Sequence, residues 1–353
     1  MFLKSENYIA VPPGATIKEQ LDDRGLTQKE FALRMELSEK HISKLINGQV
    51  ALTPDVALKL EMVLGIKMRF WLNLEALYQE AKKKVEEENN LLQDKDILFK
   101  FPYNEMSKWN WLPKTKNIVD KIKNLRNFFE VVTLTLLKGQ LIPLFCRQLS
   151  KTDENYYLLI ALAQKAKLES RNIITSLINL ELLKDSISKL RTMTKQNNFI
   201  VELQQLLLKC GIAFILLPSL KSSYTHGFTF LYNKKIVIGM TNRGKDSDKF
   251  WFSLFHELGH ILCGHIFNDK IPDDKDEQEA DIFAKEQLIS KEDFDVFTAD
   301  NNFSKKSIIE FAKQIDIDPS IVVGRLQKEG FLKYNQLNNL KKKYLFDEYL
   351  TTR

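Results

Sequence analysis

The chain has 353 residues, of which 44% are hydrophobic and 28% are charged, and its formal net charge is +6. This composition supports two or three domains with buried cores and solvated surfaces. No segment is long and apolar enough to span a bilayer, and Met1 to Lys4 is followed at once by polar residues, so neither a membrane anchor nor a signal peptide is expected. Three widely spaced cysteines indicate a reducing, cytoplasmic location without structural disulfides.

Residues 11–80 predict a compact helical unit. Thr27 and Glu30 form the pattern of a capping box that opens one helix, and Ser38 is in position to cap the next, which ends near Asn47-Gly48. The connection at 36–37 is short. Two short helices joined in this way are typical of a helix-turn-helix.

In a helix-turn-helix, the first turns of the second helix of the motif enter the major groove of DNA. The residues expected to contact DNA are Gln28, Ser38, Lys40, His41, Ser43 and Lys44. Between residues 14 and 80 there are nine Lys and Arg against ten Asp and Glu, so recognition would depend on the local charges of Lys40 and Lys44. A protein-docking three-helix module is the alternative interpretation.

The region that follows carries no chemical motif. A lysine run and a glutamate run at 82–88 indicate a helix end that leads into a linker, placed at 81–96. Residues 97–199 predict a helical middle region that serves as a spacer or a substrate-recognition bundle. Residues 335–349 predict a terminal helix with a solvated basic face.

The segment His256-Glu257-Leu258-Gly259-His260 is the most informative motif in the chain. Two imidazoles four residues apart lie on one face of a helix, so both can bind one zinc ion while the intervening glutamate acts as the general base. The apolar run at 250–255 predicts that the back of this helix is buried, and Gly264 predicts its end. A pair of surface histidines is the alternative interpretation.

A catalytic zinc ion usually takes three protein ligands, so the third is expected on a second helix. Small and apolar residues recur at helical spacing over 277–288 and predict that helix. We select Glu279 as the third ligand because it adjoins this apolar face, and we keep Glu277 in reserve. Asp281 and Glu286 are expected to point more toward solvent, and a solvated acidic face is the alternative for Glu279.

Two further side chains near the motif are expected to stay outside the metal site. His265 lies nine residues after His256, on the opposite side of a continuous helix, and could approach the site only if the helix breaks at Gly264. Cys263 shares the face of the histidine pair, but an ordinary buried thiol is the expected role.

These residues predict peptide-bond hydrolysis. Zinc lowers the pKa of water, and Glu257 would accept a proton and pass it to the leaving amine. His226 is the candidate donor to the developing oxyanion, by elimination, and a structural role is its alternative. Two strands at 228–232 and 236–240, joined by a tight turn, could present an edge that pairs with an extended peptide.

Both regions also resemble known families. The N-terminal unit resembles the helix-turn-helix of HigA-type antitoxins within the XRE superfamily, through Pro13-Gly14, 27–32, 42–48, 52–54 and 70–74. The zinc region, at 200–345, is similar to the ImmA/IrrE metallopeptidases, through 250–260, 279–284 and 321–327. That resemblance implies a thermolysin-like site in which His256, His260 and Glu279 bind zinc and Glu257 is catalytic, and it implies cleavage of repressor-type regulators. The ending Cys263-Gly264-His265 departs from the family pattern.

The expected fold is mainly α with a small β-sheet (α+β). The expected function is that of a DNA-binding transcriptional regulator with a Zn2+-dependent endopeptidase domain. Its expected partners are a DNA operator, a repressor or antitoxin-like protein as substrate, and a toxin, and a homodimer is compatible with these. The alternative is a DNA-binding antitoxin or repressor in which the zinc domain is structural or a sensor.

Overall fold

The computed structural model describes residues 3–5, 7–138, 153–243, 245–268, 273–344, 346 and 349. Part of the expected helical middle region, 139–152, lies outside these residues. The chain divides into two compact units, Met1–Asp96 and Ile97–Arg353. Helices predominate in the described parts of both units, beside a two-stranded and a three-stranded sheet, which confirms the expected α+β class.

The N-terminal unit consists of a short β-ribbon and five helices in its described part. They are β1 (Leu3–Lys4), β2 (Ile9–Ala10), α1 (Pro13–Asp23), α2 (Gln28–Arg34), α3 (Glu39–Ile46), α4 (Pro54–Leu64) and α5 (Met68–Leu91). The capping box at Thr27 and the cap at Ser38 are both formed, as the sequence predicts. Gly14 allows α1 to touch α3, since a Cβ at this position would lie 2.2 Å from the Ile46 carbonyl oxygen.

The segment expected to be a linker is helical through most of its length. Helix α5 continues to Leu91, a 3₁₀ turn spans Leu92–Asp94, and α6 spans Lys95–Leu98. Val85 is buried against Ala10 and Tyr78, so the second half of α5 is held to the β-ribbon by apolar packing. Alternating blocks of charge therefore mark a solvated helix face here rather than a loose connection.

The second unit contains the remaining α-helices and strands of the described residues. They are α7 (Tyr103–Lys108), α8 (Ile118–Phe129), α9 (Asp153–Ser170), α10 (Leu180–Thr192), α11 (Ile200–Lys209), β3 (Ile212–Leu217), β4 (Gly227–Tyr232), β5 (Lys235–Thr241), α12 (Ser247–Leu262), α13 (Asp274–Leu288), α14 (Lys291–Ala299), α15 (Lys305–Gln314) and α16 (Pro319–Lys328). Helix α9, from the expected middle region, packs on β3 and β5 and so belongs to this unit.

The sheet of the second unit has the strand order β3-β5-β4. Strands β4 and β5 form the predicted antiparallel hairpin, and β3 pairs with β5 in parallel. Asn233 and Lys234, at the turn, have φ values of 47° and 62°, as a two-residue type I′ turn requires. Within the described sheet β4 has one neighbouring strand, so its other side is an edge.

Helix α12 lies at the centre of the second unit. Its apolar side, which includes Trp251, Leu254, Phe255 and Leu258, is fully buried, as the run before the histidine motif predicts. Helices α13 and α16 and strand β4 all pack on α12. This packing fixes the helix that carries the histidines.

The chain after α16 differs from the expected terminal helix. A 3₁₀ turn spans Asn338–Leu340, and the following residues are extended and pair with the segment that leads into α12 through a bridge between Asp246 and Lys343. Lys341 is buried, and its Nζ lies 2.6 Å from the Asp248 carboxylate. The basic run is therefore partly an internal anchor, because Lys341 pairs with Asp248 of α12 and Lys342 with Asp318 at the start of α16. In the described ranges, no helix combines the length and the apolar character needed to cross a membrane.

Candidate metal centre and nucleic-acid interface

The two histidines of the sequence motif lie on α12 and face the same point. The Nε2 atoms of His256 and His260 are 3.0 Å apart. His260 is 1% exposed, and His256 is partly buried beside a cleft. The four-residue spacing thus brings the two imidazoles together as predicted.

The carboxylate beside this pair belongs to Glu277 and not to Glu279. Oxygens of Glu277 lie 3.3 Å from His256 Nε2 and 3.5 Å from His260 Nε2. The Glu279 side chain is 62% exposed and contacts His265 instead. This corrects our choice of third ligand in favour of the reserve residue, because Glu277 is one turn before Ala280, which packs against Gly259 of α12.

The three donor groups fit a metal ion. Tetrahedral zinc with donors at about 2.0–2.1 Å places its ligand atoms about 3.3 Å from one another, close to the separations among His256, His260 and Glu277. The Oε1 atom of Glu277 is buried and has no hydrogen-bond donor within the described part of the chain. Two imidazole nitrogens and one carboxylate that converge in this way are a suitable set for a divalent cation.

Asp281 bonds to His256, and Lys328 bonds to Asp281. Asp281 Oδ1 lies 2.9 Å from His256 Nδ1, and Lys328 Nζ lies 3.3 Å from the other carboxylate oxygen. Burial lowers the pKa of His256, but hydrogen bonds with Asp281 and Glu277 outweigh burial and raise that pKa to about 10. The hydrogen bond from His256 lowers the pKa of Asp281 to about 2. Asp281 therefore bonds to His256 while its side chain stays 47% exposed, and the site favours positive charge.

His260 is neutral and has a second histidine behind it. Burial lowers the pKa of His260 to about 3, so one ring nitrogen retains a lone pair. Its Nδ1 lies 3.0 Å from Nδ1 of His265. The chain does break at Gly264, with a φ of 84°, so His265 reaches the rear of His260 without approaching the Glu277 side of the site.

The side chain of Glu257, the residue after His256, is buried. Thr229 Oγ1 donates a hydrogen bond of 2.6 Å to Glu257 Oε2. Burial raises the pKa of Glu257 to about 7, although the His256 charge and the Thr229 hydroxyl oppose the rise. A Cβ on Gly227 would lie 2.9 Å from Glu257 Oε1, so only glycine leaves room for this carboxylate. Gly227 and Thr229, which alternate along β4, thus both determine the position of the proposed base.

A cleft of about 280 Å³ opens in front of Glu257 and His256. His226 lines the same cleft, near the start of β4, as its proposed role requires. Burial, followed by the charges of Arg243 and Lys249, lowers the pKa of His226, whose imidazole lines the cleft. The remaining lining residues include Tyr224, Thr225, Phe252, Ser253, Ala284 and Lys285.

Cys263 lies apart from the donor atoms of His256 and His260. It is exposed, in contrast to the buried thiol expected, and groups with His265 and Glu279 within 4.8 Å. Cys263 is the C-cap of α12, and its N–H donates to the Gly259 carbonyl oxygen.

The N-terminal unit presents the side chains selected for DNA contact on the surface of α2 and α3. The exposed residues are Gln28, Ser38, Lys40, Ser43 and Lys44. His41 is half-buried, and its Nε2 has no hydrogen-bond partner among the described residues. Ile42, Leu45 and Ile46 are buried as expected. One face of α3 is therefore exposed, and the opposite face packs into the core of the unit.

Sequence reasoning missed three contributors to the metal centre. Thr229, Asp281 and Gly227 contact Glu257 or His256, and none belongs to the histidine motif. One signal was available, because Glu277, Ala280, Asp281 and Ala284 form a single helical stripe of small and acidic residues. The hydrogen bond of Thr229 depends on the packing of β4 on α12 and has no local signal.

The fold and the two sites define a class of protein: a helix-turn-helix regulator that carries a metallopeptidase-like domain. Two family profiles agree with this class. Residues 17–71 match the helix-turn-helix family, and residues 210–313 match the IrrE N-terminal-like domain, a peptidase family. The chain belongs to the helix-turn-helix regulators through its N-terminal unit and carries an IrrE-like domain in its second unit.

Two similar proteins match part of the chain. The uncharacterized HTH-type transcriptional regulator YddM of Escherichia coli (strain K12) is 41% identical over 76 residues, which are 21% of this chain and 81% of YddM. Antitoxin HigA-1 of Vibrio cholerae is 44% identical over 57 residues, 16% of this chain and 53% of that protein. The chain thus spans about half the length of HigA-1.

Solved structures are also similar to part of the chain. A putative antidote protein of a plasmid maintenance system from Nostoc punctiforme PCC 73102 is 33% identical, and the match covers 24% of this chain and 93% of that chain with a TM-score of 0.22.

Proposed function

We propose that the second unit is a zinc-dependent endopeptidase and that the whole chain is a DNA-binding regulator that cleaves a repressor or antitoxin-like protein. The observation that carries the proposal is the position of Glu257. Its carboxylate is buried at the floor of a cleft, adjacent to a cluster of two imidazoles and one carboxylate. A metal site with a purely structural role does not need a general base beside it.

His256, His260 and Glu277 would hold the zinc ion, with Asp281 and Lys328 behind His256. When bound, zinc supplies Lewis acidity, which lowers the pKa of water and polarises a carbonyl group. Glu257 would take a proton from water at its carboxylate and later deliver it to the leaving amine. Thr229 and Gly227 keep this carboxylate aimed at the cleft.

The substrate would bind as an extended peptide along the free edge of β4. This strand has one neighbouring strand in the described sheet, and its first residues border the cleft. Main-chain hydrogen bonds to such an edge accept many sequences. His226, at the rim of the cleft, would donate a hydrogen bond to the oxyanion of the cleaved peptide.

The experiment that tests this function replaces Glu257 with Gln. Glutamine retains the shape of the side chain and removes the base, so zinc content should remain at one ion per chain while cleavage falls by about 100-fold or more. The assay would use the full chain and candidate helix-turn-helix proteins encoded near its gene, with mass spectrometry of the products. A protein that contains no zinc, or a Glu257→Gln variant that cleaves at the original rate, would contradict the proposal.

A second function is favoured by one specific observation. The two relatives are described as a transcriptional regulator and an antitoxin, and their matches cover only 21% and 16% of this chain. The alternative is therefore a DNA-binding antitoxin or repressor with a structural or sensory zinc site. In that case, operator binding would respond to zinc removal in both the original chain and the Glu257→Gln variant, and no cleavage would accompany it.

A further inference from the structure

A line of hydrogen bonds extends from the rear of His260 to the protein surface. Nδ1 of His260 lies 3.0 Å from Nδ1 of His265, and Nε2 of His265 lies 3.2 Å from Oε2 of Glu279. The His265 side chain is 4% exposed, whereas that of Glu279 is 62% exposed. The three side chains therefore connect a buried ring beside the metal centre to an exposed carboxylate.

The end of α12 produces this arrangement. A continuous helix would carry His265 to the side opposite His256. Instead, α12 ends at Leu262, Gly264 adopts a left-handed conformation, and His265 begins a 3₁₀ turn that ends at Phe267. The turn brings the second ring back beside the first, with the ring centroids of His260 and His265 5.2 Å apart.

The hydrogen atoms in this line follow from the geometry of the metal centre. Nε2 of His260 faces His256 and Glu277, so this nitrogen must present its lone pair to a metal ion. The ring proton of His260 is then on Nδ1 and is donated to Nδ1 of His265. Because a neutral imidazole has one proton, His265 carries its own on Nε2 and donates it to Glu279.

We propose that His265 and Glu279 are positioning residues for the metal ligand His260. They fix its tautomer and the orientation of its ring. The inference depends on the proposed zinc site, and it deepens that proposal. His256 has a corresponding arrangement, since its Nδ1 bonds directly to Asp281. Each imidazole of the site is thus linked to a carboxylate. His256 bonds directly to Asp281, and His260 is linked to Glu279 through His265.

A competing role for the same side chains is a second metal site. Donor atoms of Cys263, His265 and Glu279 lie within 4.8 Å of one another. A cation there would need the lone pair of His265 Nε2, which would move the ring proton to Nδ1. Two N–H groups would then face each other over the 3.0 Å between His260 and His265. The tautomer required by the first site therefore disfavours a second cation.

The test measures zinc affinity of the full-length protein by competition with a chromophoric chelator. His265→Leu removes the acceptor for His260 and should weaken zinc binding by about 10- to 100-fold, the usual effect of losing an outer partner of a ligand. His265→Gln supplies a carbonyl acceptor and should restore most of this loss. Glu279→Ala changes an exposed residue, so it keeps the fold and should weaken binding several-fold.

Two spectroscopic measurements separate the roles. The chain has five histidines, so ring-nitrogen NMR of the zinc-loaded protein can resolve them, and His265 should carry its proton on Nε2. Cobalt in place of zinc should show no thiolate charge-transfer band, and Cys263→Ser should leave its spectrum unchanged. A band that disappears in Cys263→Ser, a proton on Nδ1 of His265, or zinc affinity within about twofold of the original in both His265→Leu and Glu279→Ala would overturn the inference.

These outcomes are distinct from failure of the proposed function. If the original protein binds no zinc, the peptidase proposal fails together with the inference. If it binds zinc with unchanged affinity in the His265 and Glu279 variants, the inference alone fails.

Discussion

Glu277 and Glu279 are two positions apart, yet they have different environments. Two steps along a helix rotate a side chain by about 200°, so one residue can face α12 while the other faces His265 and solvent. The stripe that contains Ala280 and Ala284 identifies the inner face, and Glu277 belongs to it. A carboxylate one helical turn away from a buried small residue is thus a better candidate ligand than a carboxylate next to that residue in sequence.

Thr229 gives a prediction at the scale of a single residue. Thr229→Val keeps the shape of the side chain and removes the hydroxyl that donates to Glu257. The buried carboxylate then loses a hydrogen bond, which should destabilise the second unit by about 2 kcal/mol and misalign the base. Cleavage should fall by about 10-fold or more, with zinc affinity unchanged. Steady-state kinetics and thermal unfolding would measure the two effects.

Thr229→Ser is the matched control, because it retains the hydroxyl and removes only a methyl group. It should keep most of the cleavage activity. Equal losses in the Val and Ser variants would show that the methyl group and not the hydrogen bond is what matters.

At the scale of elements, α12 is held from several sides. Gly259 lets α13 approach closely, since a Cβ there would lie 3.0 Å from Cα of Ala280. On the side of the C-terminal segment, Trp251 Nε1 donates to the Tyr344 hydroxyl over 2.8 Å. Near its start, Lys341 meets Asp248, and the absence of a side chain on Gly324 leaves space for that carboxylate. The histidines therefore lie on a rigid helix, which a metal site requires.

The ion pair of Lys341 and Asp248 gives a prediction for this element. Both side chains are at least 93% buried, being 7% and 6% exposed. Asp248→Asn leaves an uncompensated buried ammonium and should reduce the free energy of unfolding by about 3–5 kcal/mol. Urea denaturation followed by tryptophan fluorescence would measure it.

The double variant Asp248→Asn, Lys341→Met completes a thermodynamic cycle. It should recover part of the lost stability, because neither charge is left alone. Additive losses in the cycle would contradict an energetic coupling between the two residues.

At the scale of the whole molecule, the chain joins a DNA-binding unit to a metallopeptidase-like unit. The N-terminal unit has nearly balanced charge, so its affinity for DNA should depend on a few lysines of α3. The exposed lysine at the end of this helix, Lys44, is a suitable test.

Lys44→Ala should weaken binding to all DNA sequences and reduce the slope of affinity against salt by about one ion. Fluorescence anisotropy at several salt concentrations would measure it on the full chain. Lys67→Ala, between α4 and α5, removes the same charge from another part of the unit and serves as the control. Equal effects of the two variants would indicate attraction by net charge instead of contact through α3.

The local parts of this protein were predictable from sequence. The capping box at Thr27, the hairpin turn at Asn233 and the end of α12 near Gly264 depend on residues within a few positions of one another, and the structure has all three. The helical structure of most of 81–96 and the burial of the Lys341 side chain are not predictable in this way, because their buried partners lie far away in sequence.

The sequence by itself determined the two imidazoles on one helix face, the adjacent Glu257 and the buried side of α3, because helical periodicity alone places those side chains. Only the tertiary structure decided that Glu277 joins the histidines, that Thr229 holds Glu257 and that His265 lies behind His260. These relations depend on how α12, α13, β4 and the turn after Gly264 pack together. Packing is set by contacts among distant residues, and no single stretch of sequence contains it.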